Sequence, residues 1–445
     1  MRPAPRGIDD LLRVHDAFPE RYPHFLASGR DAGWGFDILF AHPRDPIVLR
    51  AGSNEAQSVR FFSALDACSA EARVGELPFT GLPFLFGHFL YLSYELIGVL
   101  ESRLALTAPA DVPLAWLQGF DGAIIKDWRS GAVTITGRDV SVVQGIEKDL
   151  RSMPDPGPWP SVAMECVEHD PLEAYRDGVR DIHGYILAGD IFQANLSRSY
   201  RGHLASETRA ATLFESLRRH NPAPFSAIAR LGETLIVSAS PERLLRCRGR
   251  VVMTQPIAGT RARLRDTLED ERARQDLLRD PKERAEHLML VDLERNDLGR
   301  VCVPGSVRVS DLMRIESYAT VHHLVSDVLG TLRTEVTLSD VIKALFPGGS
   351  ITGCPKIRCI EILGLSEQGS RGAYTGSLGY INERGDMDLN ILIRTLVVRG
   401  REIGFRVGAG IVADSDPTRE LRETEAKAAG LLRALGCAPG GERAP

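Results

Sequence analysis

A carboxylate placed where an amphipathic helix should be apolar is the tightest constraint in this sequence. Residues 280–299 read DPKERAEHLMLVDLERNDLG. Asp280 suits an N-cap, Pro281 the first helical position and Gly299 the C-terminal cap. Glu283 stands where a capping-box partner would reach back to the Asp280 amide. Glu286 shares a helical face with Leu290 and Leu293, the face that should be buried, and a carboxylate there is costly unless a cation meets it. A second segment repeats the design. Asp416-Pro417 opens a helical pattern, and Glu420 and Glu423 copy the Glu-x-x-Glu spacing of Glu283 and Glu286. Two helices that each present two carboxylates suit a hard divalent cation such as magnesium. Taken singly, each pair is more ordinarily a solvated helix face, and Glu283 a cap.

The rest of the chain narrows the class. Its 445 residues, 43% hydrophobic and 25% charged, can bury a large core. The net charge of −5 gives no reason to expect nucleic acid or an anionic membrane surface as a partner. The seven cysteines are odd in number and lack a C-x-x-C, which favours free thiols in a reducing cytoplasm over disulfides or a zinc site. The first residues, MRPAPRGIDDLLRV, have no apolar signal core. The most membrane-like run, 79–100, contains Pro83, His88 and Glu95 and reads as buried strand and helix.

Residues 1–150 show mixed patterns, with strand-like FDILFA at 36–41 and GAIIKDW at 122–128. The four prolines of RSMPDPGPWP at 151–160 mark a linker. A second region spans 165–436. There Asp170-Pro171 opens a capped helix ended by Gly189, and FSAIARL, TLIVSAS and RVVMTQPIAGT follow as a meander. Further strands are expected at 307–311, 373–381, 389–398 and 403–407, and helices at 337–346 and 417–436. Strands and helices come in runs, which predicts an α+β fold.

Several residues could carry chemistry, each with a plainer alternative. Gly408-Ala409-Gly410 would let backbone amides approach an anion, or make a tight turn. PGGSITGCPK at 347–356 lacks the G-x-x-x-x-G-K-[ST] spacing, so nucleotide binding is rejected. His322-His323 could be a base, a ligand or packing. Gln193 could be a core hydrogen-bonding residue, and Glu242 a solvated turn carboxylate.

Taken together, GDIFQANLSRSY, SASPERLL, QPIAGTR, AEHLMLVDLERNDLGRV, SYATVHHLVSDVLG, GGSITGCPKIRCIEIL, YTGSLGYI, MDLNILIRTL and GAGIVADSDP resemble the chorismate-utilising enzymes. Within them they look like the large subunits of aminodeoxychorismate synthase and anthranilate synthase. The resemblance is dense from about 170 to 435 and faint over the first 150 residues. It implies large antiparallel β-sheets flanked by helices. It also implies a magnesium ion held by Glu286 and Glu423, with Glu283 and Glu420 supporting through water. Tyr374 and Arg394 match the pair that grips the enolpyruvyl carboxylate of chorismate, helped by Gly408, Gly410 and Lys427; Thr260 and Thr352 fall in the same substrate-binding set. Glu242 matches the general acid for departure of the ring hydroxyl, and His323 a histidine near the ring. Gln193 stands where isochorismate-forming relatives carry a lysine that activates water. Glutamine cannot act as that base, so ammonia is the expected nucleophile, delivered by a separate glutamine amidotransferase subunit.

Two products compete. Asn195, Arg243, YATVHHLVS, GGSITG and YTGSLGY look like aminodeoxychorismate synthases. Ala258, in PIAGT, replaces a lysine that could attack the ring in many of them and resembles anthranilate synthases. The tryptophan pocket of the family usually carries an LLES-like string; the nearest match here is FLASGRD at 25–31, which argues against feedback by tryptophan. A non-catalytic binding module is the reading from another class, and the complete carboxylate set argues against it.

Overall fold

The computed structural model describes residues 1–4, 10–28, 35–71, 81–109, 112–155, 157–264, 266–318 and 321–437. All strand pairing among them is antiparallel, and the strand Ala115–Asp127 is the junction of two arms. One arm runs from it through Phe36–Pro43, His24–Ala27, Phe225–Leu231, Thr234–Ser240, Thr395–Arg399 and Glu402–Ile411 to Gln193–Leu204. The other runs through Gly87–Leu92, Ser377–Asn382, Met387–Asn390, Arg243–Arg248 and Val251–Thr254 to Val321–Thr331. That last strand also pairs with Ile257–Ala262 and Arg308–Ser317. Pairing therefore joins the two sides of the 151–160 linker.

The alternating side chains of these strands explain the layers. Phe40, Phe89, Phe120, Ala229, Ile236, Leu378 and Leu392 come from both arms and form one core. The opposite faces are covered by helices. Leu11–Ala17, Val140–Arg151, Ala210–His220 and Pro417–Ala434 pack on one arm, and Glu55–Glu71, Pro281–Gly299 and Leu338–Leu345 on the other. Each fully buried large apolar side chain stabilises this packing by roughly 1.5–3 kcal/mol. The α+β expectation and the helix-flanked antiparallel sheets are what the structure has. Among the described residues, no helix is long and apolar enough to cross a membrane.

Local signals hold at most helix starts. Asp280 accepts from the amides of Lys282 and Glu283, Asp416 from Thr418 and Arg419, and Thr337 forms a capping box with Asp340. Five expectations need correcting. Glu283 does not reach back to the Asp280 amide, because Asp280 also ends the helix Thr267–Arg279 and its N–H bonds the Asp276 carbonyl at 2.9 Å. The chain leaves Gly299 through Arg300 in the right-handed region, so Gly299 is no left-handed cap. Asp170 does not cap Leu172–Leu187; Pro171 holds that position, and the Asp170 carboxylate accepts from the Ser199 amide and hydroxyl at 2.7 Å each. Finally, 389–398 is two strands, and the expected meander changes arm after Ser240.

Those last two breaks build the site. At Pro241-Glu242 the chain passes from the first arm to the second, and at 391–394 it passes back. The two crossovers lie side by side: the Ile391 amide donates to the Glu242 carbonyl at 3.0 Å, and Ala239 to the Arg394 carbonyl at 3.1 Å.

Candidate active site

Glu242 and Arg394 sit on these adjoining crossovers. Arg394 has φ +51, a left-handed conformation that costs a non-glycine residue on the order of 1 kcal/mol. Among the described residues its half-buried guanidinium forms no hydrogen bond or ion pair, and desolvation lowers its pKa against the opposing pull of Glu242. Such a cation is matched to an anionic ligand. Glu242 is 7% exposed, so it is no solvated turn carboxylate. Burial raises its pKa to about 7, while the Ser350 hydroxyl, donating at 2.6 Å, and the charges of Lys427 and Arg394 hold it down. A carboxylic acid that keeps its proton near neutrality is equipped to donate it.

His323 lies across from them on Val321–Thr331. Its Nδ1 is 3.0 Å from the Thr260 hydroxyl and 3.4 Å from the Gly259 carbonyl, so a proton on Nδ1 suits both partners. Nε2 is buried and has no hydrogen-bond partner among the described residues. Burial, then Arg394, lower the His323 pKa to about 4, so the imidazole is neutral at pH 7. Ala258 and Thr260 pair with Leu324 and His323. A methyl group at Ala258 has no nucleophilic capacity.

Gly408 and Gly410 are not a turn; both lie inside the strand Glu402–Ile411, paired with Ser197 and Asn195. They lack side chains because others cross above them. A Cβ on Gly408 would stand 2.7 Å from the Tyr374 hydroxyl and 2.8 Å from the Leu196 carbonyl. A Cβ on Gly410 would stand 2.6 Å from Gln193 Nε2. Gln193 is buried, and its Oε1 has no hydrogen-bond partner among the described residues. Lys427 donates to the Gly408 carbonyl at 2.9 Å and pairs with Glu423 at 2.7 Å. The Thr352 hydroxyl is engaged with the Gly348 carbonyl at 2.8 Å, inside the glycine loop.

The four expected metal-facing glutamates come from two helices. Glu286 is half-buried; burial raises its pKa, Lys282 opposes this at 3.5 Å, and Glu283 and Glu420 add to it, which brings both helices to one place. Glu283 pairs with Arg261 at 3.0 Å, Glu420 is buried beside Arg419, and Glu423 is open to solvent. Among the described residues no three His, Cys, Asp or Glu side chains form a ready-made ion cluster. The donors are hard oxygen anions from two sides, a chemistry that fits magnesium if substrate and water complete the shell.

Gln193, Gly408, Gly410, Tyr374, Lys427, Glu242, Arg394, His323 and Ser350 thus connect by hydrogen bonds, close approach or electrostatic coupling.

A family model described as chorismate binding enzyme matches residues 22–433. This chain belongs to the chorismate-binding enzymes. Anthranilate synthase component 1 of Thermus thermophilus is 48% identical over 374 residues, covering 81% of this chain and 79% of that protein. Aminodeoxychorismate synthase component 1 of Klebsiella aerogenes is 36% identical over 410 residues, covering 90% of each. The crystal structure of anthranilate synthase component I from Streptococcus pneumoniae superposes with a TM-score of 0.76 at 28% identity, covering 88% of this chain and 91% of that one.

For a chorismate-binding enzyme, sequence reasoning had missed two contributors. Ser350 was visible only as part of GGSITG, with no sign that its hydroxyl reaches Glu242. Arg371, 5% exposed, binds the carbonyls of Asn195 and Ile351 and the carboxylate of Glu367 behind Tyr374. Of FLASGRD, 29–31 lie outside the described residues; Leu26, Ala27 and Ser28 line a separate cavity of about 450 Å³ with Phe225, Arg243 and Tyr380.

Proposed function

We propose that this chain is the chorismate-aminating component of an aminodeoxychorismate synthase, working with ammonia from a glutamine amidotransferase partner. The observation that carries the reading is the adjacency of a buried, proton-holding Glu242 and a half-buried Arg394, unpaired among the described residues, on two joined crossovers. Chorismate is a dicarboxylate with a ring hydroxyl to be displaced. Arg394, with Tyr374, is suited to fork onto one carboxylate. Glu286 and Glu423, backed by Glu283 and Glu420, would hold magnesium against the other. Magnesium bound there supplies charge neutralisation and Lewis-acid activation. Glu242 gives its proton to the departing hydroxyl. The Ser350 hydroxyl donates to Glu242 Oε1. Gln193, with an acceptor oxygen left over, guides ammonia to the ring, and no lysine stands at 258 to form a covalent adduct.

The choice of product rests on Asn195, Arg243, YATVHHLVS, GGSITG and YTGSLGY. Anthranilate synthase is the second reading, favoured by Ala258 and by the similarity to the Thermus protein. One experiment separates them. Purified chain is given chorismate, magnesium and ammonium salt, and the products are separated by chromatography. The proposal expects an aminated product that keeps its enolpyruvyl group and yields 4-aminobenzoate when an aminodeoxychorismate lyase is added. Accumulation of anthranilate and pyruvate without the lyase would make the second reading the right one. Glutamine in place of ammonium should give no product from this chain alone.

A further inference from the structure

The stripe of carboxylates on Pro281–Gly299 does not end at Glu286. Two and three turns further, Glu294 and Asp297 lie on the same face and are buried, 8% and 5% exposed. Among the described residues one cation forms an ion pair with them. Lys356, from the helix Lys356–Ser366, is 2.5 Å from Asp297. Two carboxylates with one ammonium in a buried pocket are neutral only if they share a proton.

Asp297 has the lysine, and Glu294 faces the glycine loop. Its Oε1 accepts from the Gly349 amide at 3.4 Å. The loop runs close enough to the helix that a Cβ on Gly349 would stand 2.4 Å from Leu293 Cδ2 and 3.3 Å from Glu294 Oε1. The next residue is Ser350, which donates to Glu242 Oε1 at 2.6 Å. A short chain therefore runs from Glu294 through one peptide unit to the acid of the site. The loop's other internal bonds, from Thr352 to Gly348 and Gly349, hold its far side.

We infer that Glu294 is a positioning residue for Glu242, acting through the Gly349–Ser350 peptide. This rests on the role proposed for Glu242. Glu294 touches neither substrate nor metal; it fixes where the Ser350 hydroxyl points. The groups that face Glu294 are Asp297, Lys356, Thr254 and the Gly349 amide, and burial with Asp297 holds its pKa up. The groups that face Glu242 are Ser350, Lys427 and Arg394. Losing the Ser350 donor removes a contact that favours the ionised form of Glu242, so the Glu242 pKa should rise.

The test compares Ser350→Ala, Glu294→Met, Glu294→Gln and the Ser350→Ala/Glu294→Met double variant in the full chain. Turnover of chorismate with ammonium and magnesium is followed across pH. Ser350→Ala and Glu294→Met should each lower kcat about tenfold to hundredfold with KM nearly unchanged, and should move the alkaline limb to higher pH. The double variant should be no worse than Ser350→Ala, because both break one chain. Glu294→Gln keeps an oxygen for the Gly349 amide and should keep the wild-type profile. If Glu294→Met does not fold, Glu294→Asp, one methylene short of Gly349, replaces it.

Multiplicative losses in the double variant would overturn the inference. So would an unmoved limb, or a Glu294→Gln as impaired as Glu294→Met. Carbon-13 NMR of the Glu242 carboxyl reads the same titration without turnover. A wild type that leaves chorismate untouched would remove the proposed function, and the NMR comparison would still decide this inference.

Discussion

Replacing Glu242 by glutamine should destroy activity and, at alkaline pH, make the protein more stable. Burial lifts the Glu242 pKa from its ordinary 4.5 to about 7. The sign follows from proton counting. Between those two values the folded protein holds a proton that the unfolded chain has released, so stability falls as pH rises through the window. Below about 4.5 Glu242 costs nothing; above about 7 its full cost is present. A shift of this size corresponds to about 3 kcal/mol of destabilisation by the ionised form. Glu242→Gln cannot ionise and escapes that cost. Other consequences of the substitution, such as the changed partner of Ser350, are the same at every pH and cancel in a difference. The assay is urea unfolding of both proteins at pH 4.5 and pH 8. The stability of Glu242→Gln relative to wild type should improve by about 2–3 kcal/mol between the two pH values. Wild-type turnover should fall above about pH 7 as the acid loses its proton. A relative stability that does not change with pH would refute the buried-acid account of this residue.

Three other outcomes are expected. Arg394→Met should raise the KM for chorismate at least about thirtyfold without lowering the denaturant midpoint, since among the described residues the guanidinium has no hydrogen bond or ion pair to lose; a cooperative loss of stability with KM intact would show a structural role. Glu286→Gln and Glu423→Gln should each abolish turnover in a folded protein, and wild type should stop in EDTA; full activity in EDTA would remove magnesium from the proposal. Gly408→Ala should destabilise by about 1–3 kcal/mol and weaken substrate binding, because the new methyl meets the Leu196 carbonyl, which cannot step aside, and displaces the Tyr374 hydroxyl; unchanged unfolding and KM would contradict this close packing.

The sequence by itself determined the parts of this protein that depend on near neighbours. Asp280-Pro281, Asp416-Pro417 and Thr337 announce helix starts because a cap needs only the next three residues. The α+β character and the Glu-x-x-Glu pairs were legible for the same reason, and the motif strings identified the family. Where a neighbour in space competes, the local signal failed. Glu283 is drawn to Arg261, and Asp170 to Ser199. Only the tertiary structure decided that 389–398 breaks at 391–394, that this break runs beside Pro241-Glu242, and that Glu242 is buried there. A carboxylate after a proline at a turn looks solvated until strands from both sides of the linker are folded over it. Its proton affinity comes from that burial, and its orientation from Ser350, 108 residues away in the chain. Burial and electrostatic environment are sums over long-range contacts, so they have no signature in the spacing of residues along the chain.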